Sequence, residues 1–300
     1  MIGLLRKIAY AIPVVRQILE MFHEVKAIKE SLKIIEKNNT PRGTEIDRYK
    51  RDFLYESSRY KGTARISQYE FDVYSTCGDD GIIEEIFKRI GTTNRHFVDI
   101  GVHIGLHGNT AYLLLDNWYG AWFEGDPQKC STATSKFKSV IDEGRLSICN
   151  AFITAENVTD LLSSASIPKE PDLLSIDIDG NDYWIWKSIE DYRPRVVVIE
   201  YNPVFRSSTK WVMKYNPFHN WIGTIYGGAS LKSLELLGKS KGYSLVGCTF
   251  DGVNAYFVRD DLVKDNFHEP FTAEEHYEPF RNLFLRRTVA QVDFGPYESI

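Results

Sequence analysis

An α/β fold on a mostly parallel sheet is predicted by three observations. Apolar strand-like runs alternate with helical segments between residues 96 and 200, a glycine-spaced turn follows the first run, and an acid closes the second. Such alternation marks successive βαβ units with right-handed crossovers. Taken in chain order, Gly78-Asp79-Asp80-Gly81 leads into Ile82 to Ile90, whose apolar residues fall at helical spacing, and Gly91 stands where a C-cap belongs. Strands are expected over 96–101, 120–124, 146–150, 172–177 and 195–200, with helices between most of them. Ser230 to Lys239 reads as a further helix, and 243–249 with 254–259 as a strand pair around Phe250-Asp251-Gly252-Val253.

The turn carries the most information. Phe97-Val98-Asp99-Ile100-Gly101 runs into Val102-His103-Ile104-Gly105, then Gly108, and Glu124 follows Gly101 by 23 residues. Glycines let the backbone approach a ligand, a helix expected over Ala111 to Leu115 offers free N–H groups, and the acid accepts two ribose hydroxyls. The spacing differs from the G-x-G-x-x-G of a dinucleotide site, so the loop suits a ligand without a pyrophosphate. The competing reading is an ordinary strand–turn–helix whose glycines serve packing alone.

These residues carry a resemblance. Val98-Asp99-Ile100-Gly101 with Gly105 and Glu124 resembles motifs I and II of class I S-adenosylmethionine-dependent methyltransferases. Gly78-Asp79-Asp80-Gly81-Ile82-Ile83, Glu124-Gly125-Asp126-Pro127, Leu174 to Tyr183 and Val198 to Pro203 resemble the FkbM-like members, often associated with surface polysaccharides and natural products. The resemblance implies a Rossmann-like class I methyltransferase fold: a mostly parallel seven-stranded sheet with a terminal antiparallel hairpin. It implies S-adenosyl-L-methionine as cofactor and O-methyl transfer, with a saccharide hydroxyl as acceptor. A non-catalytic scaffold or regulatory subunit on the same fold, assembled through the N-terminal helix, is the alternative. Glu124 would hold the ribose, Gly101 to Gly105 would face the methionine portion, and Asp99 would reach the ligand amine through the loop. Asp79 and Asp80 carry over as pocket residues, and Phe152 falls where relatives touch adenine. Relatives often read Ser-Gln-x-Gly where this chain has Ser75-Thr76-Cys77-Gly78, which leaves the role of Thr76 open.

Asp177, Asp179 and Asp182 form the densest carboxylate cluster, at a strand end. Strand periodicity puts Asp177 and Asp179 on one face, with Glu200 and Asn202 at the next strand end. Oxygen ligands so placed suit Mg²⁺ or Mn²⁺, held by Asp177, Glu200 and Asn202 with Asp179 as the alternative ligand. The other reading has Asp177 orienting the substrate or cofactor amine, residues 179–182 capping the following helix, and Glu200 binding backbone amides. Methyl transfer needs an aligned acceptor, a base and a dry site. His219, in the loop after the fifth strand, is the expected general base, and Asp177 the second catalytic residue. Trp211, Tyr215, Trp221 and Tyr226 in the same region suit a sugar face as well as plain core packing.

A net charge of −5 and a pI near 5.9 argue against a nucleic-acid-binding face. Four cysteines without C-x-x-C spacing read as reduced thiols of a cytoplasmic protein, and no apolar run approaches the length of a membrane span. Val14, Ile18, Met21, Val25, Ile28, Leu32 and Ile35 form a heptad seam over residues 14–35, expected to build a homo-oligomer or dock on a partner helix. Residues 1–37 also hold seven Lys/Arg against four Glu, which suits peripheral contact with anionic lipid at the inner face of a membrane, and a helix folded back on its own domain is the third reading. The expected layout is a helix over 1–40, a connector and cap over 41–75, the S-adenosylmethionine-binding domain over 76–262 and an extension over 263–300.

Overall fold

The computed structural model describes residues 64–281 and 295–300, together with Phe53, Glu56 and residues 57–61. The N-terminal heptad helix, with the oligomer and membrane contacts expected of it, lies outside the described residues. The architecture below belongs to the compact unit Leu54–Ile300.

Nine strands are described: β1 (His96–Ile100), β2 (Tyr119–Glu124), β3 (Leu146–Asn150), β4 (Leu173–Ile176), β5 (Val196–Glu200), β6 (Trp211–Met213), β7 (Tyr243–Cys248), β8 (Asn254–Arg259) and β9 (Tyr297–Ser299). Seven form one sheet in the order β3-β2-β1-β4-β5-β8-β7. The first five are parallel, and β8 lies between β5 and β7, antiparallel to both. This is the expected Rossmann-like, mostly parallel seven-stranded sheet, with its terminal hairpin inserted so that the later strand sits inside.

Helices on both faces explain why the central strands read as continuous apolar runs. The main helices are α1 (Asp79–Ile90), α2 (Pro127–Lys136), α3 (Lys138–Asp142), α4 (Val158–Ser164), α5 (Asp182–Ser188) and α6 (Leu231–Lys241), followed by the single turns α7 (Asp260–Val263) and α8 (Ala273–His276). Strand alternation divides the core. Val98, Leu174, Val197 and Ile199 pack with Trp186 of α5 and Leu234 of α6, whereas Phe97, Leu173, Val196 and Val198 pack with Ile82, Ile86 and Phe87 of α1. Gly91 closes α1 at φ 68, its N–H bonding the Phe87 carbonyl, and Ser230 caps α6 by accepting from the Ser233 N–H.

Two departures from the sequence reading have physical causes. Ala111–Asp116 is a 3₁₀ segment rather than an α-helix. Thr110, in its N-cap position, donates its hydroxyl to Asp99 and so leaves the segment's N–H groups uncapped, and Asn117 ends it at φ 57. The second departure is β6 with β9, an antiparallel pair joining the loop after β5 to the chain terminus. Three-residue strands paired across 86 positions leave no periodicity to read.

Candidate active site

A cleft of about 1260 Å³ opens beyond the carboxyl ends of β1, β2, β4 and β5, where ligands of open α/β sheets bind. Among its lining residues are Gly101, His103, Glu124, Phe152, Asp177, Asp179, Glu200 and His219. The structure thus brings most of the sequence-predicted site residues to one edge of the sheet.

Each is placed by a local device. Gly101, at φ 94, sits so close to β4 that a Cβ there would collide with the Asp177 carbonyl oxygen, which keeps the β1 and β4 ends together. The loop that follows alternates through left-handed residues: Gly101, His103 (φ 55), Gly105 (φ 76) and His107 (φ 78). A histidine held there costs free energy that glycine avoids. That curl turns the His103 N–H onto Glu124 Oε2 at 2.7 Å, while the Asp126 N–H meets Oε1 at 2.8 Å. Each carboxylate oxygen of this buried Glu124 has taken one donor, and each has a second lone pair to accept a ligand hydroxyl. Asp126 in turn caps α2 by accepting from the Gln128 and Lys129 N–H groups.

At the β4 end, the carboxylate of buried Asp182 accepts from the Ile178 N–H (2.9 Å) and the Gly180 N–H (2.8 Å). The helix cap expected of residues 179–182 is not made: α5 has no side-chain cap, Asp182 instead folds the loop before it, and the exposed Asp179 is held at φ 55. Carboxylate oxygens of Asp177, Asp179 and Glu200 lie within 4.8 Å of one another. Burial, then the charges of Asp179 and Asp182, push the Asp177 carboxyl well above the ordinary range. Acids packed this closely resist ionising together, a cost relieved by a proton or a cation.

His219 is fixed against Gly180, where a Cβ would strike the imidazole, and its ring meets Tyr226 edge-on at 5.9 Å. Its Nε2 is buried without a hydrogen-bond partner among the described residues.

Other expected residues stand elsewhere. Asn202 was expected as a metal ligand, but its Nδ2 donates to the Ile225 and Gly227 carbonyls and its Oδ1 accepts from the Val204 N–H, so the side chain organises its own loop and Asp179 takes its place in the cluster. Gly105 was expected to face the ligand, whereas its α-carbon faces Trp122, 2.5 Å from where a Cβ would lie. Asp79, Asp80 and Asp99 are buried beneath the cleft rather than lining it. Asp80 accepts the Val73, Tyr74 and Ser75 N–H groups and so shapes the loop that brings Thr76 and Cys77 to the rim. Asp79 accepts from the Tyr256 hydroxyl and from Asn254 at 2.8 Å, and burial raises its carboxyl to about 6. Asp99 accepts from the Thr110 hydroxyl at 2.8 Å, and burial raises it to about 7. Phe280 also lines the cleft, and no signal in the sequence tied that C-terminal residue to the site.

No protein-family model matches the chain, and no curated protein does. Among solved structures it is similar to an S-adenosylmethionine-dependent methyltransferase from Clostridium acetobutylicum, with 14% identity over 60% of this chain and 90% of that one and a TM-score of 0.40. It is also similar to the pyocyanin biosynthetic protein PhzM (14% identity, 59% and 54% covered, TM-score 0.38) and to the methyltransferase domain of METTL16 (19% identity, 41% and 51% covered, TM-score 0.32). The chain spans about half the length of the latter two. Likeness at this level leaves the chemistry of the site to its own geometry.

Proposed function

We propose that the protein transfers a methyl group from S-adenosylmethionine to a hydroxyl, with a saccharide as acceptor. One observation carries the reading: Glu124, its carboxylate already aimed by two backbone amides, shares a cleft with the Asp177, Asp179 and Glu200 cluster. The residues present fit the cofactor. Glu124 would accept the ribose diol, the exposed Phe152 would pack on adenine, and the curled loop from Gly101 would supply backbone donors. When bound, the sulfonium supplies an electrophilic methyl carbon.

The remaining work falls to the chain's own side chains. Trp221 and Phe280 wall the cleft, and aromatic faces beside carboxylates suit a sugar, whose C–H face packs while its hydroxyls donate. His219 Nε2 would take the proton from the acceptor hydroxyl, a contribution of about 10²- to 10⁴-fold for a positioned base. Asp177, Asp179 and Glu200 fit Mg²⁺ or Mn²⁺, which would hold the acceptor oxygen and favour its deprotonation. A cleft of about 1260 Å³ has room for cofactor and acceptor together.

Calorimetric titration with S-adenosylhomocysteine tests the reading. Micromolar binding is expected in the parent and its loss in Glu124→Ala; a folded parent that binds none refutes the proposal.

A further inference from the structure

The segment from Asn202 to Leu234, which roofs one side of the cleft, contains no Asp or Glu in a chain whose net charge is −5. Of its four basic residues, Lys232 pairs with Glu235 and Glu274, whereas Arg206, Lys210 and Lys214 are exposed and none is paired with an acid among the described residues. Ring packing makes the segment one body. Phe205 meets Trp211 at 5.2 Å and Tyr297 at 5.0 Å, Tyr297 meets Tyr226 at 5.1 Å, and Tyr226 meets His219. At its tip Phe218 is 84% exposed and Ile222 78% exposed, on either side of the cleft-lining His219, Asn220 and Trp221. Val204, also exposed, lies on the same segment.

Two bulky apolar side chains held almost wholly in water lose free energy relative to burial, and an apolar tip on a segment that also carries unpaired cations is complementary to an anionic apolar boundary. We infer that this segment docks the mouth of the cleft on an anionic lipid bilayer. Phe218 and Ile222 enter the boundary between headgroups and acyl chains, and Arg206, Lys210 and Lys214 face the headgroup phosphates. The absence of acid from the segment has a reason on this view: the cleft interior is rich in carboxylates, and cations carried on the same segment offset their repulsion from the lipid surface. The docking does not depend on methyl transfer. Its corollary does: a cleft held there would meet hydroxyls borne by lipid-anchored acceptors.

Partition of the full-length chain onto vesicles tests the docking, with phosphatidylcholine alone set against equal parts phosphatidylcholine and phosphatidylglycerol. The parent is expected to favour the anionic vesicles, and F218S/I222S to lower that partition at least about tenfold. Neutralising Arg206, Lys210 and Lys214 to Gln is expected to lower it about fivefold for each cation, on anionic vesicles alone. Because these side chains are exposed, the thermal midpoint of each variant should match the parent. Equal partition by parent and F218S/I222S overturns the inference, whatever residues 1–40 contribute to binding. So does a fall in solution mass on making F218S/I222S with vesicle partition unchanged, which would assign the tip to a second copy of the chain. A parent that docks but binds no S-adenosylhomocysteine removes the methyl-transfer reading and leaves the docking standing.

Discussion

His219 Nε2 lies buried in the cleft wall with no hydrogen-bond partner among the described residues, which leaves its lone pair for a ligand. If that ligand is the acceptor hydroxyl, His219→Ala should lower kcat by about 10²- to 10⁴-fold and leave S-adenosylhomocysteine affinity within twofold of the parent, about the precision of the titration; wild-type turnover would remove the base assignment. Asp99 gives a prediction of another kind. Its carboxyl is raised by burial to about 7, so between pH about 4 and 7 the native state binds a proton that the unfolded chain has released. The stability it confers is complete below the unfolded pKa and is lost as pH rises through the folded one. Urea melts of Asp99→Asn should therefore show a flatter fall in stability across that window than the parent, and parallel curves would contradict the assignment. Asp99 stood out in the sequence by type and position, yet it lies beneath the cleft rather than in it. Its direction was not legible, because the hydroxyl of Thr110, eleven positions on, draws it inward beneath the loop.

At the scale of elements, the opposite end of the sheet shows what holds the frame that the cleft depends on. Asp172, fully buried before β4, accepts the Thr93, Asn94 and Arg95 N–H groups and pairs with Arg195 at 2.7 Å. Burial alone would raise its carboxyl, but hydrogen bonds from Arg195 and Thr93 hold it below the ordinary range. Arg195 also donates to the Ile90 and Gly91 carbonyls and thereby ties the end of α1 to the sheet. Asp172→Ala leaves a buried guanidinium unpaired and should cost about 3–5 kcal/mol in denaturant unfolding; a loss under about 1 kcal/mol would mean the pair is dispensable. The strands themselves were legible within a residue or so, because parallel strands covered on both faces read as apolar runs bounded by turns. Glu124 and the Asp177 cluster were legible because acids at such strand ends need a reason. What escaped the sequence depends on distant partners: β6 with β9, Phe280 in the cleft wall, and the Asn202 side chain spent on the carbonyls of Ile225 and Gly227.

For the whole molecule, binding at the cleft is coupled to unfolding. S-adenosylhomocysteine at a hundred times its Kd should add about 2.7 kcal/mol to stability, and Mg²⁺ should add a further increment that chelator removes and Asp177→Asn abolishes. A thermal midpoint unmoved by Mg²⁺ would reject the metal part of the proposal and leave the cofactor part intact. The sheet order has a consequence of a different sort, for the chain while it is being made. β8 is the last strand of the sheet to be synthesised yet lies inside it, pairing with β5 on one side and β7 on the other. Until Asn254–Arg259 emerge from the ribosome, Val196 to Ile199 present an apolar strand with an open edge, a template for a neighbouring nascent chain. A stall before residue 259 should therefore yield aggregates rather than a smaller folded domain.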